Sequence, residues 1–199
     1  MKKEIYFILI LGIAIFSVNA QSKYPKGVYT SFEALKSMQP AANYNIVVEK
    51  KTHGNIVMNG GNDYRLISTD KTLKKKYLRE ELFAYSDGET LFLNCFPLRL
   101  SFDYTKVLND GSKYFVFRAT FSQDQDMSYM FGTIGGAFLA TERYLYAYEK
   151  STGNVILITT EALKKLLKDN ETLLEEYLNE KNNKDEAIQL KYLLMLNGM

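Results

Sequence analysis

The chain has 199 residues, with 25 lysines and arginines against 23 aspartates and glutamates, and its net charge of +2 excludes long-range steering toward nucleic acid. One histidine and one cysteine are too few for a zinc site of three or four nitrogen and sulfur ligands, and a lone cysteine excludes an intramolecular disulfide. We therefore expect no metal, no cofactor and no nucleic-acid partner, and we assign no catalytic residue.

Residues 1–20 have the pattern of a secretory signal peptide. Lys2 and Lys3 precede an apolar run over residues 5–16, and Ala20 ends a stretch suited to signal-peptidase cleavage. About twelve apolar residues are too few to span the roughly 30 Å hydrocarbon core of a bilayer. Lipidation needs a cysteine directly after the cut, whereas the cysteine here is Cys95. We expect an exported protein with no stable transmembrane span after cleavage, in which residues 21–199 form a single domain.

The mature N-terminus combines a polar arm with a short helix. Residues 21–26 are polar and predict a loose arm. Thr30 and Glu33 have the spacing of a capping box, and Pro40 ends the helix that this box begins. The apolar face of that helix carries Phe32, Leu35 and Met38.

From residue 45 the apolar period changes to two, which predicts antiparallel strands. Residues 46–48 predict a strand, His53 and Gly54 a turn, and residues 56–58 the return strand. Residues 71–79 are basic and fit either a loop with a helical turn or a polar strand.

Three later turns are clearer. Asp87-Gly88 separates two apolar strands and supplies the positive φ angles of a tight hairpin. Residues 109–111 and 151–153 predict two further hairpins. Together these patterns predict eight or nine strands over residues 45–158.

The last part of the chain is helical. Apolar residues recur at helical spacing in three segments between residues 160 and 197, after a cap at Thr159 or Thr160, after a second at Asn170, and after a polar break at residues 182–183. Because strands and helices are segregated, we predict an α+β fold. It comprises a long antiparallel meander, as a curved sheet or a partly closed barrel, with a short N-terminal helix and three amphipathic C-terminal helices.

Charged candidates for a site are few. His53 is predicted in an exposed turn, and the neighbouring carboxylates Asp87 with Glu89, Glu80 with Glu81, and Asp124 with Asp126 are adjacent in sequence rather than facing across a cleft. The basic cluster at residues 71–79 fits anionic lipid or acidic polysaccharide, but its neighbouring glutamates favour a solvated surface.

The least ordinary segment is residues 127–141, fifteen residues without a formal charge. Gly132, Gly136 and Ala140 recur every four residues, which permits close helix packing. Two interpretations stay open. The segment is a buried helix or crossover, or it is an apolar flap over a ligand cavity or an insert that dips into a membrane. For the flap, we expect ligand contacts from Phe131, Ile134 and Phe138.

Tyr144, Tyr146 and Tyr148 alternate along one predicted strand and so point to one face. They line a pocket that stacks sugars or holds lipid tails, or they form the solvated edge of an aromatic core. We take them as candidate ligand-binding residues.

The chain resembles a family of exported proteins of unknown function from Bacteroidetes-type bacteria. The residues that carry the resemblance are Gly27-Val28-Tyr29, Ser31-Phe32-Glu33, Ala84-Tyr85-Ser86-Asp87-Gly88, Leu91, Leu93, Asn94, residues 132–140, Arg143-Tyr144-Leu145, Tyr192-Leu193 and Asn197. The resemblance implies a location in the periplasm or cell envelope of a Gram-negative bacterium, or secretion, and it implies no reaction.

Three functions follow as expectations. The first is a non-enzymatic binding or accessory protein of the envelope that holds an apolar or amphipathic ligand. The second is a carboxylate-based enzyme acting on glycans, and the third is a structural or partner-docking protein that uses the helical C-terminus. The expected partners are accordingly a lipid, a glycan or an envelope protein.

Overall fold

The computed structural model describes residues 23–70, 73–121 and 141–198. These contain nine strands: β1 Gly27–Tyr29, β2 Ile46–Lys50, β3 Tyr64–Ser68, β4 Ala84–Ser86, β5 Leu91–Asn94, β6 Tyr104–Asp110, β7 Tyr114–Ala119, β8 Tyr144–Glu149 and β9 Val155–Leu157. The helices in the same ranges are α1 Phe32–Lys36, α2 His53–Asn59, α3 Thr160–Leu167, α4 Glu171–Asn179 and α5 Glu186–Gly198, with a π-helical turn at Tyr77–Glu81.

All nine strands belong to one antiparallel sheet. Its main path runs β1-β4-β5-β6-β7-β8-β9, and the β2–β3 hairpin joins it where Tyr64 pairs with Tyr104 at the start of β6. The pairing of β6 with β7 shifts register between Val107 and Asn109, which marks a bulge that bends the sheet. The α+β class and the antiparallel sheet are thereby confirmed, and the sheet is open rather than closed into a barrel.

The sheet is strongly curved. β4 and β8 are four positions apart along the path, a distance of about 19 Å in a flat sheet with a strand spacing of ~4.8 Å. However, the rings of Phe83, next to β4, and Tyr148, on β8, have centroids only 5.5 Å apart. The inner face of the open sheet therefore wraps around an aromatic core. Helix α1 enters this core with Phe32, whose ring lies 5.4 Å from that of Tyr148 and 6.1 Å from that of Phe115.

Each half of the outer face has its own cover. Val116, Leu145 and Ala147 face outward from β7 and β8 and pack under the C-terminal helices, with Leu163 and Leu193 among the covering residues. On the other half, residues of the β2–β3 hairpin cover the outward side of the first strands, in a cluster formed by Val28, Ile46, Leu66, Leu78, Leu82, Tyr85, Phe92 and Tyr104. The described residues thus form three hydrophobic clusters, one inside the curved sheet and one under each cover.

Local chemistry explains where the helices begin. Thr159 and Asn170 cap α3 and α4, since their side chains accept from the backbone N–H groups of Ala162 and Leu173. The cap of α1 is Ser31, which accepts from Ala34, and not Thr30 as the capping box predicted. Within the described residues, no helix is long and apolar enough to cross a membrane.

Two further expectations about local structure are wrong. Residues 56–58 belong to helix α2, because Thr52 caps the backbone N–H of Asn55 and only Ile56 of the apolar run is buried; β3 is the actual return strand. The arm before β1 is docked from residue 23 onward: Tyr24 is buried and its carbonyl accepts from Ser86 Oγ at 2.9 Å. The ambiguous basic stretch includes the beginning of the π-helical turn.

Candidate functional site

The three candidate tyrosines of β8 lie on the inner face of the sheet. Tyr146 and Tyr148 are buried in the aromatic core, and Tyr144 is half-buried at its edge. Tyr148 contacts the rings of Phe32, Phe83 and Phe115, which gives it a packing role. Tyr144 lies against Phe121, with ring centroids 4.1 Å apart. Their contact with a ligand stays a prediction.

The hydroxyl group of Tyr146 is buried without a hydrogen-bond partner within the described residues. The ring of Tyr146 stacks on Phe117 at 5.8 Å and meets Phe121 edge-on at 6.3 Å. Burial, with smaller contributions from Cys95 and Tyr144, raises the pKa of Tyr146, so the phenol stays protonated at neutral pH and has a proton to donate.

Three other buried tyrosines donate from their hydroxyl groups to backbone carbonyls. Tyr29 donates to the carbonyl of Pro25 and Tyr177 to that of Asn183, each at 2.6 Å. Tyr104 donates to the carbonyl of Leu78. A buried hydroxyl without a partner costs about 1–3 kcal/mol of stability. An acceptor that bonds to the Tyr146 hydroxyl would remove this cost.

A set of five polar residues, which we call the rim cluster, lies at the end of the curved sheet near Tyr144: Lys51, Asn62, Asp63, Asp103 and Arg143. Lys51 Nζ donates to Asp103 Oδ2 and to the carbonyl of Gly60, both at 2.6 Å. Arg143 donates from Nε to Asp63 Oδ1 at 2.8 Å and from Nη2 to the carbonyl of Gly61 at 3.3 Å. The Lys51–Asp103 pair is well removed from solvent, with Lys51 itself buried, whereas the side chain of Asp63 is 33% exposed.

Asn62 holds the rim cluster to the sheet. Its side chain is fully buried; Oδ1 accepts from the backbone N–H of Thr120 at 2.9 Å, and Nδ2 donates to the carbonyls of Ser101 and Phe102. The loop before β3 is thereby tied to the end of β7 and to the loop that precedes β6. This satisfies backbone groups that would otherwise be buried without partners.

Cys95 lies deep in the same region and is not a nucleophile. Its side chain is fully buried, and burial raises the pKa of the thiol, which keeps it protonated. Reactive cysteines need a lowered pKa and access to solvent, and Cys95 has neither. It packs as a small apolar side chain of the aromatic core.

A model of a family of unknown function, DUF6563, matches residues 27–199 of the chain. The chain belongs to this family. No curated protein and no solved structure matches it. The DUF6563 match confirms the coarser part of the resemblance, namely membership of a family without an assigned function.

Several candidates from the sequence are accounted for by local structure in this DUF6563 protein. Asp87 Oδ1 accepts from the backbone N–H groups of Glu89 and Thr90 at 2.8 and 2.7 Å, so this carboxylate shapes the β4–β5 turn. His53 is exposed at the start of α2, and Glu80 and Glu81 lie on the π-helical turn. Within the three described ranges, no group of three or more His, Cys, Asp or Glu side chains is arranged to hold a metal.

The remaining candidates lie outside the described residues. They are Asp124, Asp126, Phe131, Ile134 and Phe138. Their proposed contacts stay predictions.

Sequence reasoning missed the rim cluster entirely. Its five members come from four separate stretches of the chain, at positions 51, 62–63, 103 and 143. The usable signal in the sequence is the pair Gly60-Gly61, because glycine readily adopts positive φ, as both residues do in the structure. A Cβ on Gly61 would fall 2.6 Å from the ring of Phe102, so this ring lies too close to the Gly61 backbone for a side chain to fit there.

Proposed function

We propose that this DUF6563 protein is an exported, non-enzymatic binding or accessory protein of the cell envelope that holds an apolar or amphipathic ligand at the inner face of its curved sheet. The observation that supports this is the buried Tyr146 hydroxyl, which has no partner within the described residues. A ligand hydroxyl, ester or carboxylate oxygen that accepts this hydrogen bond would remove the cost of leaving it unsatisfied.

The surroundings of Tyr146 favour a ligand with an apolar body. Phe117 and Phe121 flank the ring, and Tyr144 lies on the same face at the half-buried edge of the core. Aromatic and aliphatic walls with one or two well-placed polar groups are typical of small-molecule sites. The ligand would therefore combine hydrocarbon with a single acceptor group near Tyr146.

The experiment compares two preparations of residues 21–199. One is purified gently from the envelope of the native host, and the other is unfolded in denaturant, stripped with organic solvent and refolded. A ligand bound only to the folded state raises the melting temperature, so we expect the gently purified protein to melt higher. Adding the solvent extract to the refolded protein should restore the difference in the wild type and restore less of it in Tyr146→Phe. Equal melting temperatures for both preparations would refute the proposal.

A partner-docking function is the second candidate, because the C-terminal helices expose apolar side chains. Leu178 on α4 and Leu194 and Met195 on α5 are each more than a third exposed. Replacing all three by serine leaves the buried face of both helices intact. Loss of co-purification with an envelope protein in this variant, with the Tyr146→Phe variant unaffected, would favour docking over ligand binding.

A further inference from the structure

One end of the domain carries exposed apolar side chains. Met58, on the last turn of α2, is 82% exposed, and its neighbour Val57 is more than half exposed. Phe96, in the loop between β5 and β6, is 44% exposed. Exposed large apolar side chains that occur together on a soluble domain indicate an interaction surface.

Contacts within the fold connect the segments that carry these side chains. The side chain of Asn94 donates to the carbonyl of Arg79 at 2.9 Å and accepts from the backbone N–H of Phe96 at 3.1 Å. The guanidinium group of Arg79 lies 4.4 Å from the ring centroid of Phe102. That ring in turn contacts Gly60 and Gly61, directly after α2. Phe96, Arg79 and the end of α2 are therefore linked in three steps.

The same end is basic. Lys74, Lys75, Lys76 and Arg79 are exposed in and before the π-helical turn, and Arg99 is exposed in the loop that carries Phe96. The opposing carboxylates in this stretch are Glu80, which lies 3.9 Å from Lys76, and Glu81. The nearby Asp63 and Asp103 are already paired with Arg143 and Lys51. Positive charge is thus in excess beside the exposed apolar side chains.

We propose that this end binds the surface of an anionic lipid bilayer. We call it the basic-apolar end and define it by Val57, Met58, Lys75, Arg79, Phe96 and Arg99. Apolar side chains that enter the headgroup region and cations that meet lipid phosphates together give reversible membrane association. The combination favours a bilayer over an acidic polymer, since a polymer needs the cations but offers no apolar phase for Met58 and Phe96.

The test is co-sedimentation of residues 21–199 with vesicles of phosphatidylcholine alone and of phosphatidylcholine mixed with phosphatidylglycerol. We expect binding to the mixed vesicles that weakens as salt is added. The double variant Lys75→Glu with Arg99→Glu should lower the partition coefficient at least about tenfold, because each basic residue near an anionic bilayer contributes appreciably to the free energy of membrane binding. The matched control is Lys165→Glu with Lys168→Glu, which makes the same charge change at exposed positions at the end of α3 and directly after it.

A second variant tests whether the exposed apolar side chains contribute to vesicle binding. Met58→Ser with Phe96→Ser changes only exposed side chains and should weaken vesicle binding without weakening binding to heparin. Tyr146→Phe should leave vesicle binding unchanged, which separates this surface from the interior site. No sedimentation with the mixed vesicles, equal losses in the two charge-reversal variants, or full binding by the serine variant would each overturn the proposal; the last result would indicate an acidic polymer instead.

Discussion

Gly111 lies directly against the side chain of Asn197, so closely that a Cβ on Gly111 would fall 2.2 Å from Asn197 Cγ. Asn197 is fully buried near the end of α5; its Oδ1 accepts from the backbone N–H groups of Lys113 and Tyr114 at 3.1 and 2.7 Å, and its Nδ2 donates to Asn109 Oδ1 at 2.6 Å. This contact fastens the last helix to the β6–β7 turn, and it explains why a glycine is needed there.

Gly111→Ala should therefore destabilise the fold. The added methyl group has no room unless α5 moves, and overpacking of this kind costs typically about 1–3 kcal/mol. The control is Gly54→Ala in α2, where a Cβ meets nothing within 4 Å and alanine favours the helix. Urea denaturation followed by circular dichroism gives the free energy of unfolding for both variants. A free energy of unfolding for Gly111→Ala equal to that of the wild type would contradict the close contact between Gly111 and Asn197.

Tyr146→Phe and Tyr177→Phe should have opposite effects on the ligand-free protein. Removing the unpartnered hydroxyl of Tyr146 should leave the free energy of unfolding unchanged or raise it by up to ~1–2 kcal/mol, whereas Tyr177→Phe should lower it by about 1 kcal/mol because a hydrogen bond to Asn183 is lost. The measurement is denaturation of refolded, solvent-stripped protein. A loss of stability in Tyr146→Phe as large as that in Tyr177→Phe would show that the hydroxyl already has a partner within the chain.

The effects on stability of substituting Lys51 and Asp103, two residues of the rim cluster, should be strongly coupled. Their side chains are 2% and 16% exposed, and removing one partner of a buried pair typically costs about 3–5 kcal/mol because the other charge is left uncompensated. Lys51→Met and Asp103→Asn should each destabilise, and the double variant should lose clearly less than the sum of the two. Asparagine suits position 103, where φ is 70°.

The control for this cycle is the exposed pair of Arg65 and Glu49 on the β2–β3 hairpin, for which we expect little coupling. Additive losses at Lys51 and Asp103, like those expected at the control pair, would contradict a buried ion pair.

Asp110 should make the stability depend on pH in the acid range. Burial disfavours its charged form, but hydrogen bonds from Lys150 and Lys23 outweigh this effect and lower its pKa. A carboxyl group with a lowered pKa in the folded state stabilises the fold fully above its unfolded pKa of about 3.9, and this contribution is lost as the pH falls toward the folded pKa. Between Asp110→Asn and the wild type, the difference in unfolding free energy should be constant above about pH 5 and should shrink below about pH 4.

Denaturation curves at a series of pH values check this, with Asp169→Asn as the control because Asp169 is exposed between α3 and α4. A difference between Asp110→Asn and the wild type that persists undiminished at the lowest pH would contradict the ion pairs of Lys23 and Lys150 with Asp110.

The sequence predicted the turns and helix caps that depend on residues adjacent in the chain. The Asp87-Gly88 turn, with φ of 98° at Gly88, and the helix caps at Thr159 and Asn170 follow from local hydrogen-bond chemistry. The strand prediction over residues 56–58 failed because a short apolar run has no period of its own; here Thr52 caps a helix that buries Ile56.

The candidate site was less predictable because it is assembled by the topology. Arg143 reaches the carbonyl of Gly61 across 82 positions in the chain, and Lys51 reaches Asp103 across 52. No pattern of spacing encodes such contacts. The alternation of Tyr144, Tyr146 and Tyr148 did predict one shared face, but only the curvature of the sheet makes that face the interior.

The most direct test of the proposed function is native mass spectrometry of residues 21–199 purified gently from the envelope of the native host. We predict a population heavier than the polypeptide by the mass of one small, largely apolar molecule. This molecule should be retained less by Tyr146→Phe than by the matched Tyr177→Phe control. A mass equal to that of the polypeptide alone, or equal retention by both variants, would contradict a ligand bound at Tyr146.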